Sequence, residues 1–432
     1  MYPQIQTVDG DPQLPSHTDV AIIGGGIIGV ATAYFLAARG IAVTLLEKGE
    51  IGAEQSSRNW GWCRSMGRDL AEIPLALASL GLWDTWREHL GEDTGFRRTG
   101  IYYACENPRQ LADQATWLRG ASAFGAEARL LEGAELRRTL PEGAQSDWSG
   151  ALFAPHDGRA EPHLASAAIA RAARRLGARL LTRCAVRGLT TEAGRVASVV
   201  TERGELRCST VVLAGGAWSS LFCKNLGIRL PQLKVVASVL RTQPMPGGPE
   251  QALGASRYAF RKRQDGGYTI AQRNGNIAPI TPDSFRYLRD FLPALGKQYR
   301  EVRVRLNRTF LDEWRLPSRW ALDRTSPFER CRVLDPAPSP AILEEARTAL
   351  CAVYPFFRGM RIAQTWAGVM DVTPDAIPVI GEVPQLPGLF LSTGYSGHGF
   401  GIAPGAGHLM ADLIQGVAPL VDPRPFRFAR LG

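Results

Sequence analysis

The chain has 432 residues, 45% hydrophobic and 21% charged, with a formal net charge of +9. That length suits two domains of roughly 100–200 residues each, and the apolar share is enough for a sizeable core, which excludes wholesale disorder. The 50 basic residues include only five lysines (48, 224, 234, 262 and 297) and never run more than three together, so no polyanion-binding tract is present and no nucleic-acid partner is expected.

Seven cysteines form no C-x-x-C pair and are odd in number, which points to reduced thiols and a cytoplasmic setting. Polar, proline-containing residues precede the first strand, and no secretory leader is read there. Tyr34 and Arg39 break the longest apolar stretch short of the ~18 residues a membrane span needs. Any membrane contact is expected to be peripheral.

In chain order, the first element is a buried strand, Val20 to Ile23, followed directly by Gly24-x-Gly26-x-x-Gly29 and a helix to about Arg39. In such a unit the first glycine makes a tight turn, the second leaves room for a pyrophosphate, and the third lets helix and strand pack closely. Phosphate then meets the positive end of the helix dipole. A second strand, IAVTLLE, ends in Glu47, about twenty residues past the glycines, where a carboxylate accepts hydrogen bonds from ribose hydroxyls and disfavours a 2′-phosphate. NAD and FAD both remain open at this point.

The next stretch, GAEQSSRNWGWCRSMGRD (52–69), carries Ser56-Ser57-Arg58-Asn59, then aromatic residues, then Arg64 and Arg68. With the glycine fingerprint ahead of it, this run resembles the FAD-dependent amino acid and amine oxidoreductases of the D-amino-acid-oxidase type. That group includes sarcosine oxidases, glycine oxidase and the D-amino-acid and hydroxyproline dehydrogenases. The resemblance implies FAD, held by Gly24, Gly26, Ile27, Ile28, Gly29, Glu47, Lys48, Ser56, Ser57 and Arg58.

Three later stretches extend it. GARLLTRCAVRGL (177–189) is similar to a strand that meets the adenine end near Val186, and STVVLAGGAWSSLF (209–222) to a returning strand with a glycine turn at Gly215. WAGVMDVTPDAIPVIGE (366–382) and LFLSTGYSGHGFGIAPGAGHLMADLI (389–414) resemble the closing elements, with Gly397, His398, Gly399, Phe400 and Gly401 beside the flavin ring.

Nucleotide elements at the start, middle and end imply a discontinuous domain. The expected fold is α/β, α+β overall: a Rossmann-like FAD-binding domain (1–95, 145–230 and 356–432) and a substrate domain (96–144 and 231–355). The latter is read as a mostly antiparallel sheet from the alternating stretches 96–104 and 232–280 and turns such as Asp265-Gly266-Gly267, flanked by helices at 107–125 and 281–295. The second of these helices opens on a Thr281 cap with Pro282 at its first position. DPAPSP (335–340) leads into a further helix, AILEEARTAL.

The implied chemistry is oxidation of a C–N bond in a D-amino acid, an N-substituted amino acid or an amine, by hydride transfer to flavin N5, giving an imine that hydrolyses. Arg64 is the first choice as carboxylate clamp, with Arg273 of YTIAQRNG as the alternative. Many amino-acid members place this arginine just after a tryptophan-x-glycine run, yet here Trp366-Ala367-Gly368 is followed by Val369-Met370-Asp371. His398 is the third catalytic candidate, tuning flavin charge; Arg58 and Arg68 are read as structural. Trp60, Trp62 and Tyr395 are candidates for the substrate wall, and Cys63 for covalent attachment of flavin.

His156 and His163 lack the acid or thiol cluster of a metal site, and no metal is expected. The electron acceptor is oxygen, a respiratory quinone or a protein. An FAD-dependent 2-hydroxy-acid or other C–O dehydrogenase, and a flavoprotein subunit of an electron-transfer complex, are the alternative functions.

Overall fold

The structure, a computed structural model, describes residues 3–140, 143–298 and 302–431, and only the backbone of 294–298. Its organising layer is a six-stranded sheet, ordered Val379–Glu382, Leu389–Thr393, Thr210–Leu213, β1 (Val20–Ile23), β2 (Val43–Leu46), Arg179–Leu181. All neighbours are parallel except the edge pair Val379–Glu382 with Leu389–Thr393. Parallel strands need both faces covered, and β2 is accordingly buried along its whole length.

The helix after β1, α1 (Ile27–Ala38), is apolar around nearly its full circumference, and eleven of its twelve residues are buried. It packs against the long helices Gly399–Gln415 and Pro162–Arg175. A Cβ on Gly407 of the former would stand 2.6 Å from the Ala31 carbonyl carbon, so the first and last long helices approach with backbone against backbone.

A larger sheet of mixed pairing stands beside this layer. Its order is Val302–Arg305, Asn276–Pro279, Leu233–Thr242, Tyr268–Ala271, Ala259–Lys262, Ala252–Gly254, Ile101–Cys105, Gly150–Ala154, Arg129–Leu131, with Ile362–Val372 also paired to Leu233–Thr242. Most neighbours are antiparallel; Ala252–Gly254 with Ile101–Cys105, and Asn276–Pro279 with Val302–Arg305, are parallel. A three-stranded meander covers Val186–Glu192, Arg195–Thr201 and Gly204–Arg207. Short strands Trp62–Cys63 and Arg97–Arg98 flank Gly158–Arg159.

Three local expectations differ from the structure. The stretch 177–189 is two strands in two sheets, because the chain turns between them at Arg183, whose φ is +50°. The helix expected over 281–295 is two, Pro282–Arg286 and Leu288–Gln298, meeting at Tyr287. Residues 150–154 and 362–372 pair into the larger sheet, whereas the sequence placed them with the nucleotide elements. Among the described residues no helix is long and apolar enough to cross a membrane.

Candidate active site

A cavity of about 1210 Å3, its open mouth included, runs over the carboxyl ends of β1, β2 and Thr210–Leu213, where open parallel sheets bind ligands. Its floor is the glycine turn. Gly24 has φ +113°, and a Cβ there would lie 2.4 Å from the Ala214 carbonyl oxygen. At Gly29 the conflict is harder, 1.9 Å from the Gly24 carbonyl oxygen, so this glycine lets the turn close without lining the cavity itself.

Gly26 is the N-cap of α1 and, having no side chain, makes no cap bond of its own. The helix start therefore opens on the cavity with backbone N–H groups and the positive dipole end. One N–H is already used, since Ile27 donates to Ser56 Oγ at 2.8 Å. That bond brings the 55–58 helix across the turn.

Glu47 follows β2 directly and lines the cavity. Its carboxylate accepts the Gly25 and Gly49 N–H groups, both at 2.6 Å. Burial pushes its pKa up, against the pull of Lys48 and the two donors. Lys48 is committed elsewhere: Nζ donates to Glu54 at 2.6 Å and to the Cys331 and Arg332 carbonyls, and lies 4.6 Å from the Trp218 ring centroid. Val186, Gly215, Phe222 and Phe328 shape the end of the cavity beyond.

The opposite end is built by Val369, Asp371, Tyr395, Gly397, Gly399 and Phe400. Asp371 organises the turn after Leu389–Thr393, accepting Gly394 N–H at 2.6 Å and the Thr393 hydroxyl and Gln232 amide at 3.1 Å. Tyr395 Oη sits 2.8 Å from Ser392 Oγ.

Of the expected cofactor residues, Gly24, Gly26, Ile27, Ile28, Glu47, Lys48, Ser56, Val186, Gly215, Gly397, Gly399 and Phe400 line this one cavity. Gly29, Ser57, Arg58, His398 and Gly401 do not. Arg58 is buried and donates to Asp335 at 2.7 Å and the Ala367 carbonyl at 2.9 Å, tying the 55–58 helix to the Ile362–Val372 strand. A Cβ on Gly401 would lie 3.0 Å from the Trp62 carbonyl oxygen, so this glycine seats the last long helix on the Trp62–Cys63 strand.

His398 turns away from the cavity toward Glu72, with Nδ1 3.4 Å from its Oε2. Burial, reinforced by the Arg68 guanidinium, lowers the His398 pKa to about 4, so the imidazole is neutral at neutral pH. Arg68 is itself pushed down to about 9 by burial and by Arg64. Cys63 is fully buried and lies outside the cavity; burial raises its thiol well above the usual range.

Arg64 and Arg273, distant in sequence, are brought onto one ring: their guanidinium carbons lie 5.4 and 3.8 Å from the Tyr103 centroid. Arg64 also donates to the Met66 carbonyl. Among the described residues neither guanidinium has a carboxylate within 4.0 Å. Trp62 is 6.1 Å from Tyr103 and 5.4 Å from Trp60, and Trp60 packs on Trp366 and Ala271. The result is an aromatic wall ending at two guanidinium groups without a direct carboxylate contact, Arg64 being within electrostatic reach of Glu72 and Asp157; none of these side chains lines the cavity.

Sequence reasoning missed Tyr103, Gln55, Trp218 and Phe328, and named Asn59 without giving it a role. Gln55 and Asn59 lie inside the quoted 52–69 motif, and their polar side chains were the available signal. Tyr103 and Phe328 had none, since each enters by long-range packing.

The cavity fits a dinucleotide on three counts: a helix start at which Ser56 takes only the Ile27 N–H, a glycine at its N-cap whose Cβ would press on Ser56 Oγ, and Gln55, whose buried Oε1 has no partner among the described residues. Removing the Glu47 carboxylate should weaken dinucleotide retention by about ten- to a hundredfold, the worth of a charge-assisted hydrogen bond. Titration of apo Glu47→Ala against apo wild type checks this; equal affinity would remove Glu47 from the site.

The family model described as FAD dependent oxidoreductase (DAO) matches residues 19–413. The chain is 27% identical over 420 residues to a glycine oxidase of Pseudomonas aeruginosa, covering 94% of this chain and 97% of that one. It is 24% identical over 411 residues to a sarcosine oxidase subunit beta of an Arthrobacter species, covering 94% and 88%. Among solved structures, the L-amino acid deaminase from Proteus myxofaciens in complex with anthranilate superposes with a TM-score of 0.95 at 34% identity, covering 99% of this chain and 97% of that one.

Proposed function

The chain belongs to the DAO family of FAD-dependent oxidoreductases, and from that premise we propose that it oxidises the C–N bond of an amino acid with a free carboxylate, clamped by Arg64 and Arg273. The observation that carries this reading is the pair of guanidinium groups without carboxylate partners at the end of an aromatic wall. A substrate carboxylate supplies the direct partner in the bidentate geometry arginine favours. Cofactor contacts are proposed for the cavity-lining residues, with Gly29, Ser57, Arg58, His398 and Gly401 supporting their positions.

The expected D-amino acid and N-substituted substrates remain within this reading, but the 34% identical neighbour titled L-amino acid deaminase favours the L series. That neighbour's ligand, anthranilate, joins an amine and a carboxylate on a ring, a shape suited to Trp60 and Trp62.

When bound, FAD supplies a hydride acceptor for the C–H beside the nitrogen. The arginine pair orients the substrate, and the tryptophans exclude water from its reacting carbon. No protein base is required once the amine is deprotonated, because its lone pair drives loss of hydride. The imine released from a primary amino acid hydrolyses to a 2-oxo acid and ammonia.

Anaerobic mixing of the yellow protein with L-, D- and N-methyl amino acids and with 2-hydroxy acids, followed by flavin absorbance, tests the proposal. Primary amino acids should bleach the flavin and yield 2-oxo acid and ammonia in equal amounts, and N-methyl amino acids 2-oxo acid with methylamine or amino acid with formaldehyde; bleaching by hydroxy acids alone would overturn it. Re-aeration then reads whether oxygen is an acceptor. Arg64→Met or Arg273→Met should raise KM for carboxylate-bearing substrates by about ten- to a hundredfold, with a smaller change in kcat. An unchanged KM in both variants would refute the clamp.

A further inference from the structure

A second cavity, of about 530 Å3, lies beside the short Gly158–Arg159 strand and shares no residue with the first. Arg97, Arg159, Lys262 and Arg263 line it, together with Glu250 and Gln264. Three of these cations have a carboxylate of their own: Arg97 holds Asp93 at 3.0 Å, Arg263 holds Asp265 at 3.1 Å, and Lys262 binds Glu250.

Arg159 has none. Its side chain is 8% exposed, and its nearest carboxylate oxygen, Glu161 Oε1, stands 3.7 Å from Nη1, outside hydrogen-bond reach. That carboxylate is already bound at both oxygens by Arg261, at 2.7 and 3.1 Å. The Nε of Arg159 is buried without any hydrogen-bond partner among the described residues. A desolvated guanidinium left in this state is costly, and its planar fork matches two oxygens of an oxyanion.

We propose that this cavity binds a small oxyanion, a phosphate or carboxylate group, with Arg159 as the anchor and Arg97, Lys262 and Arg263 as its walls. Burial and the neighbouring Arg261 disfavour the charged form of Arg159, Glu161 and Glu250 offset part of this, and an anion in the cavity offsets more. The Gly158–Arg159 strand also pairs with Trp62–Cys63, so the anion site and the tryptophan wall share one small sheet.

Calorimetric titration of the FAD-loaded protein with inorganic phosphate and, separately, malonate, at constant ionic strength against a sodium chloride control, tests the site. One saturable equivalent of either anion is the expected result; phosphate alone identifies a phosphoryl ligand, malonate alone a carboxylate. Arg159→Gln should weaken it by at least about tenfold. Arg97→Gln, at the more exposed rim, should weaken it by a smaller factor and serves if the first variant does not fold. Absence of saturable binding beyond the chloride control, or undiminished binding in the variants, would overturn the proposal.

Discussion

Replacing Gly29 with valine should yield protein that emerges colourless, or does not fold at all. A Cβ at this position would sit 1.9 Å from the Gly24 carbonyl oxygen, far inside contact, and the obstructing atom is backbone in a turn that Gly24 already holds at φ +113°. Relief requires α1 to move off β1. Because α1 lies between the sheet and two other helices, that movement disrupts the core, and a loss of about 3 kcal/mol or more follows from overpacking combined with turn strain. The measurement is the flavin-to-protein absorbance ratio of purified soluble protein. Wild-type occupancy in Gly29→Val would show that the close crossing of helix and strand is dispensable.

Arg261→Met should cost about 3–5 kcal/mol, the range for breaking a buried ion pair from one side. Arg261 and Glu161 side chains are each 1% exposed, and the carboxylate also accepts the Gln264 N–H at 2.8 Å. Burial alone would raise the Glu161 pKa; the Arg261 guanidinium outweighs it and holds the carboxyl at about 2, against an ordinary 4.5. A depressed acid stabilises the fold above its unfolded pKa and loses that contribution as pH falls through the folded one. The difference corresponds to about 3 kcal/mol, present above pH 4.5 and lost progressively toward pH 2.

The variant should therefore show a lower denaturation midpoint at pH 7 and a shallower decline in stability below pH 5. Identical acid profiles would refute the assignment. Activity should fall as well, because Arg261 Nε donates to the Trp60 carbonyl and so fixes the start of the aromatic wall.

The nucleotide end was readable because its determinants are local. Gly24, Gly26 and Gly29 act through backbone geometry at fixed spacing, and Glu47 follows from the length of one strand-helix-strand unit. The distal end was readable only in outline: Gly397, Gly399 and Phe400 line the cavity, while His398 between them turns to Glu72, a partner that nothing in Gly397-His398-Gly399 announces. Arg64 and Arg273 were both named as clamps, yet Tyr103, which gathers them, belongs to a strand whose neighbours are set by sheet order. The same limit applies to residues 150–154 and 362–372, whose apolar runs fit either sheet until pairing decides.

The backbone-to-backbone crossing of Ile27–Ala38 with Gly399–Gln415 also fixes a timetable. One wall of the cavity comes from Gly399 and Phe400, far along the chain from the phosphate turn, so a chain in which Gly399–Gln415 has not docked carries the turn without that wall. Enclosure therefore rests on a contact between segments far apart in sequence, which is slow to form, and until it forms the apolar surface of the first helix is uncovered on that side.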